Sequence, residues 1–155
     1  MDLCFGLESI FKNKEKIKYE FLHGYKICFI TTNKHPLAKE KSLSIQQIKD
    51  EDLVILSKNF SKQYYDDFMT ACQKDGYKAK IKKEVDNLDE LILLVVLGEA
   101  SAIAGSKLIK EKGIVAVPIN KTHHNPSYVL AYQENHISNL GTKFLSYIKD
   151  YFGTL

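Results

Sequence analysis

The chain has 155 residues, of which 45% are apolar and 26% charged, and its net charge is +3. That composition suits one globular domain or two small lobes with a real core, and it argues against disorder. The lysine-rich segments Lys12 to Lys18, Lys78 to Lys83 and Lys107 to Lys112 lie beside Glu15, Glu84 and Glu111, so they read as solvated faces and not as a nucleic-acid patch.

In chain order, Met1 to Gly6 reads as a short strand that wants neighbours on both sides, and Leu7 to Lys16 as a polar connection with room for one helical turn. Lys18 to Leu22 and Tyr25 to Thr32 read as strands joined through His23-Gly24, the second rich in β-branched and aromatic residues. Pro36 removes a backbone donor and holds His35 extended, so the strand stops there. Ser44 to Ile48 resembles a short helix with Ser44 as N-cap and Gln47 at the capping-box position. Leu53 to Leu56 is an apolar run of buried-strand length. Tyr64, Phe68 and Cys72 recur at helical spacing, and Gly76 is placed to end that helix in a left-handed conformation. Lys78 to Val85 alternates like a half-exposed strand, with Ala79, Ile81 and Lys83 on one face. Asn87 and Glu90 form a second capping box, ahead of a helix apolar almost all round and therefore expected to be buried on most sides; Gly98 ends it. Ser101 to Gly105, Gly113 to Ile119 and Tyr128 to Gln133 read as strands, the first of small residues that suit close approach by a neighbour. A last helix carries Leu140, Phe144, Ile148 and Phe152 in one stripe, helped by Leu145 and Tyr151. Strand–helix alternation predicts an α/β protein with a largely parallel sheet, formed by the strands near Leu53, Lys78, Ser101 and Gly113.

No membrane partner is expected, since the longest apolar run, Leu91 to Leu97, is far too short for a bilayer, and the start lacks the regions of a signal peptide. Cys4, Cys28 and Cys72 are far apart and odd in number, which predicts a reduced, cytoplasmic chain with buried thiols. No catalytic set emerges: Ser57 and Ser101 lie in no nucleophile elbow, and no cofactor motif is present. His123-His124 reads as a polar surface turn with no third metal ligand, and His35 as part of an exposed turn.

A binding crevice is better supported. In open α/β sheets, ligands gather beyond the carboxyl ends of strands, where helix N-termini present free amides and partial positive charge. Ser57-Lys58-Asn59 follows one such strand, and Asn87 follows another. Thr31, Thr32 and Asn33 on the crossover strand could add hydroxyl and amide contacts. A small anion, such as a carboxylate metabolite, suits those amides; the alternative is that Ser57 and Asn87 only cap helices.

Five ordered segments carry a family resemblance: Met1-Asp2-Leu3-Cys4-Phe5-Gly6; Tyr25 to Thr32 followed by His35-Pro36-Leu37-Ala38; Asp52 to Ser57; Glu84 to Leu88 running on through Leu94 to Gly98; and the closing strand and helix. With these the chain resembles the effector-binding domain of LysR-type transcriptional regulators, over essentially its whole length. The resemblance implies a type 2 periplasmic-binding-protein-like fold with helices flanking a mostly parallel sheet. It implies a small effector between two lobes, no enzymatic activity, and a homodimer in which the helix bearing Tyr64 and Phe68 takes part. The matched part corresponds to the second lobe, about residues 34–125, plus the crossover strands and first-lobe remnant in 1–33 and 126–155. DNA would be bound only through an N-terminal helix-turn-helix that this chain lacks. The family's effector contacts map onto Ser57, Gln63, Tyr64, Val85 and Asn87, with Gly6 and Leu7 from the other lobe. Gly98-Glu99-Ala100 and Gly105 depart from the family's usual turn residues. The truncated first lobe predicts exposed apolar surface and either self-association or poor solubility. Two other functions fit the architecture: a solute-binding lobe of a transport protein, and a small α/β enzyme using the same cleft.

Overall fold

Capping residues and alternation divide the chain into strands and helices close to those expected. The computed structural model describes residues 3–24, 26–106, 111–125 and 127–153; expectations for Met1, Asp2, Tyr25, residues 107–110, Pro126 and the Phe152 side chain lie outside them. In chain order the elements are β1 (Leu3–Leu7), α1 (Glu8–Phe11), β2 (Lys18–Gly24), β3 (Ile27–Thr32), α2 (Ile45–Ile48), β4 (Asp52–Leu56), α3 (Lys62–Lys74), β5 (Lys80–Val85), α4 (Leu88–Val96), β6 (Ala102–Gly105), β7 (Ile114–Pro118), β8 (Ser127–Tyr132) and α5 (Asn139–Gly153). They fall into two compact units, one of Met1–Gly24 with Pro126–Leu155, the other of Tyr25–Asn125. β3, expected among the crossover strands, is central to the second unit, because β6 and β7 bond to its two edges.

In that second unit, β4 and β5 pair parallel, and parallel bridging at Leu53–Ser101 joins β4 to β6. β6 and β7 both pair antiparallel with β3. The strand order is thus β5-β4-β6-β3-β7. The four strands expected to be parallel run in one direction, and β3 alone runs against them. Parallel pairing is therefore confined to β5-β4-β6, because β3 carries the chain in the direction opposite to the strands that follow helices.

The continuous apolar run of β4 follows from burial on both faces. Val54 and Leu56 join Leu91 and Val95 of α4 in one core, while Leu53 and Ile55 join Phe68 and Cys72 of α3 in the other. β5 departs from simple alternation through a bulge opposite Leu53/Val54. Ile81 therefore points to the α3 face and Val85 to the α4 face, and Lys83 reaches Glu90 of α4 at 2.9 Å.

The small residues of β6 have a packing reason, since Ala102 and Ala104 share the core of Leu91 and Val95. The expectation that α4 is buried on most sides is corrected: Leu91 and Val95 are inside, but Leu93, Val96 and Leu97 are exposed. An all-apolar helix hides which stripe faces the sheet.

Helix ends behave as local chemistry dictates. Ser61 caps α3 by accepting from the Tyr64 amide at 3.2 Å, and α3 ends with Gly76 at φ +77 and the Tyr77 amide bonded to the Cys72 carbonyl. Gln47 Oε1 accepts from the Ser44 amide at 3.0 Å at the start of α2. His35 is half-buried: its Nδ1 accepts from the Leu37 amide and its Nε2 lies 3.1 Å from Glu51. That ties down the turn begun by Pro36, where an exposed histidine was expected.

The first unit is a three-stranded antiparallel sheet, β1-β8-β2. Phe11, Val129 and Ala131 pack on one face; Leu22, Leu130 and Leu145 of α5 pack on the other. The stripe expected on α5 is corrected. Leu145 and Ile148 face the sheet, while Leu140 (78% exposed), Phe144, Tyr147 and Tyr151 do not. Extra aromatics give this helix two apolar faces, so spacing alone did not select one. Cys4 is exposed on edge strand β1, against the expectation of buried thiols; Cys28 and Cys72 are buried.

Candidate functional site

Parallel pairing sets Leu56 opposite Val85, so β4 and β5 end at the same edge. The helices that follow cover opposite faces, yet both begin at that edge. Three residues join the two openings. The Ser57 hydroxyl donates to Oδ1 of Asp86, and Nδ2 of Asn59 lies 3.3 and 3.4 Å from the two Asp86 oxygens. Ser57 Oγ also accepts from the Asn59 amide at 3.1 Å, and the Ser57 amide donates to the Val85 carbonyl at 2.8 Å. Asn87 Oδ1 caps α4 by accepting from the Glu90 amide at 2.9 Å.

The two openings differ in charge. α4 begins with Asp86, Asn87, Asp89 and Glu90, so carboxylates already meet its partial positive charge. α3 has no acidic residue in its first turn, and Lys58 and Lys62 stand near it. Asp66, one turn further on, pairs with Lys62 at 2.5 Å and lies 4.0 Å from Lys58; the hydrogen bond from Lys62 holds its carboxyl below the usual range. An anionic group therefore fits the α3 opening, and a hydroxyl or ammonium fits Asp86.

Of the expected contact residues, the edge gathers Ser57, Asn59 and Asn87, with Gln63 and Tyr64 in the first turn of α3. The Gln63 amide bonds to Asp67 at 2.9 Å, and Tyr64 is half-buried, edge-on to Phe60. Val85 is corrected: its side chain is core, and only its carbonyl serves the edge. Thr31 is corrected as well. It is 2% exposed and accepts from the Ser101 hydroxyl at 2.9 Å, beyond the Ile30–Ala102 pair and so toward the amino end of β4. The direction of β3 sends Thr32 and Asn33 to that far end too. Gly6 lies in the first unit, where the Phe11 ring would stand 2.9 Å from any added Cβ; Leu7 precedes α1 there. Phe68, on the helix expected to take part in dimerisation, is itself buried in the core.

Asp86, the central acceptor, was read from sequence only as part of a helix opening. An Asp directly after a strand and before an N-cap Asn was the available signal. Of the pair expected in a surface turn, His123 is exposed but His124 is half-buried. Asp75, its side chain almost wholly buried, takes hydrogen bonds from Thr122 Oγ1 (2.6 Å), the His123 amide (2.8 Å) and His123 Nδ1 (2.5 Å). Burial would raise the Asp75 pKa, but these bonds outweigh it and hold it low. His124 packs against Phe68 and lies 3.2 Å from the Tyr77 hydroxyl and 3.7 Å from Cys72 Sγ; burial pushes its pKa down to about 4. Among the described residues, no three His, Cys, Asp or Glu side chains gather so as to hold a metal ion, and no helix is long and apolar enough to cross a membrane.

The family described as LysR substrate binding domain matches residues 1–153. The HTH-type transcriptional regulator AlsR of Bacillus subtilis (strain 168) is 24% identical over 113 residues, 72% of this chain; the matched part is 37% of AlsR. Among solved structures, the BenM effector binding domain with its effector benzoate matches with a TM-score of 0.83 at 18% identity, over 99% of this chain and 70% of that one. The effector binding domain of QuiR in complex with shikimate gives 0.78 at 20% identity, over 99% and 73%. These likenesses show a common fold.

Proposed function

The chain belongs to the LysR substrate-binding-domain family, and from that premise we propose that its ligand-sensing site is the edge where β4 and β5 end. It would serve a transcriptional regulator acting as a homodimer in the cytoplasm, with DNA binding left to another domain. One observation carries the assignment of the site: Ser57 and Asn59 before α3 converge on Asp86 before α4. The neighbours' ligands, benzoate and shikimate, are both small carboxylates.

The charge asymmetry refines the ligand class. A bare carboxylate would meet Asp86 as a like charge, so the favoured effector carries both an anionic group and a hydrogen-bond donor. Its carboxylate would take the α3 amides, and its hydroxyl or ammonium would take Asp86. Binding that favours one arrangement of the two units over another would shift their population.

Calorimetric titration with shikimate and with benzoate, in a chain restored to regulator length, tests the proposal. The hydroxylated acid should bind with saturable heat and more tightly than benzoate. Asp86→Asn and Asn59→Ala should each weaken it about tenfold, the equivalent of about 1.4 kcal/mol. Equal binding by all variants would remove the site from this edge.

A further inference from the structure

At the other end of the second unit's sheet, the end of β3, the end of α4 and the start of β7 line an open cavity of about 500 Å³. Its lining includes three aliphatic residues, Val96, Leu97 and Ile114, and Leu97 is 63% exposed. It also includes Thr32, Lys34 and Lys112. Neither lysine has an ion-pair or hydrogen-bond partner among the described residues. The nearby carboxylate of Glu51 is already engaged by His35 at 3.1 Å.

The walls are fixed before any ligand arrives. The Asn33 amide donates to the Gly113 carbonyl at 2.8 Å, tying together the turns that carry the two lysines. Val95, wholly buried, anchors the end of α4. Gly98 and Gly113 stand at φ +72 and +85, conformations that favour glycine, and add no side chain to the cavity. The carbonyl end of α4 contributes a partial negative charge of about one half. Of the residues that line the cavity, the two lysines carry charge of the opposite sign.

Aliphatic residues and two lysines without partners in one lining match a ligand with an apolar body and one anionic head. We propose that this cavity is a second small-molecule site, separate from the edge at Ser57 and Asp86, for a small amphipathic organic anion such as an aromatic carboxylate. The inference does not need the effector assignment above, since it uses none of that edge's residues.

Benzoate is the probe and benzamide its uncharged counterpart, each titrated into the whole chain with nitrogen-15 amide spectra as readout. Benzoate should give saturable shifts at the Asn33, Gly98 and Gly113 amides, about fivefold tighter than benzamide, as expected for loss of a modest charge interaction. The double substitution Lys34→Ala/Lys112→Ala, at two exposed positions, should weaken benzoate about fivefold at these amides. Ser57→Ala should leave them unchanged. No saturable shift at these three amides would overturn the proposal, as would equal binding of benzamide or indifference to the lysine pair. Shifts confined to residues 57–63 and 86–90 would do so too, while leaving the effector edge standing.

Discussion

The two units bury their apolar residues differently. The unit of 25–125 places its sheet between two cores, and every side chain of β4 from Leu53 to Leu56 is inside. The unit built on β1, β8 and β2 has smaller cores on its two sheet faces and leaves Phe5, Phe21, Leu140 and Tyr147 largely exposed. The first arrangement supports a rigid edge on which donors can be held in place. The second leaves several large apolar side chains at the surface.

The contrast can be broken at single residues. Phe29 is wholly buried at the centre of the second unit; Phe29→Ala should cost about 3–5 kcal/mol in urea unfolding. Phe21→Ala, at an exposed position, should stay within about 0.5 kcal/mol. Equal costs would erase the distinction.

The buried imidazole of His124 sharpens it through pH. The folded pKa, about 4, lies below the ordinary 6.5, so the unfolded chain binds the proton first on acidification. Stability is fully present above pH 6.5, declines as pH falls to about 4, and then levels. The loss over that window should be roughly 3 kcal/mol. His124→Gln should flatten this part of the profile; an unchanged slope would mean His124 is free to ionise in the folded state.

In the smaller unit, Gly6→Ala sets a Cβ against the buried Phe11 ring. It should destabilise by about 1–3 kcal/mol by overpacking, and no loss would show that this core yields easily. At the edge itself the expected effect is smaller than at Gly6. Ser57→Ala leaves Asp86 its bonds from Asn59 and should cost about 1 kcal/mol in thermal unfolding.

Much of this was legible in the residues. Ser44 and Asn87 as caps and Gly76 and Gly98 as stops were legible, and β4 announced itself because an unbroken apolar run has no solvent face. Less legible was anything that depends on which of two faces is used. α4 and α5 are apolar on more than one side, so spacing could not say that Leu97 and Leu140 stay outside. The bulge in β5, which moves Val85 into the core of α4, leaves no mark in an alternating pattern. Thr31 failed as a contact for a topological reason: β3 runs against β4, so its carboxyl end lies at the far edge. Asp86 was overlooked because the capping box drew notice to Asn87. Its role depends on pairing β4 with β5, a relation between residues 29 positions apart.

The edge at Ser57 and Asp86 is tested most directly by proton–proton contacts between the chain and a saturating hydroxylated carboxylate. Contacts from the ligand to the side-chain amides of Asn59 and Asn87 and to the first turn of α3 are the predicted result. A ligand bound at saturation that touches none of them would contradict the account.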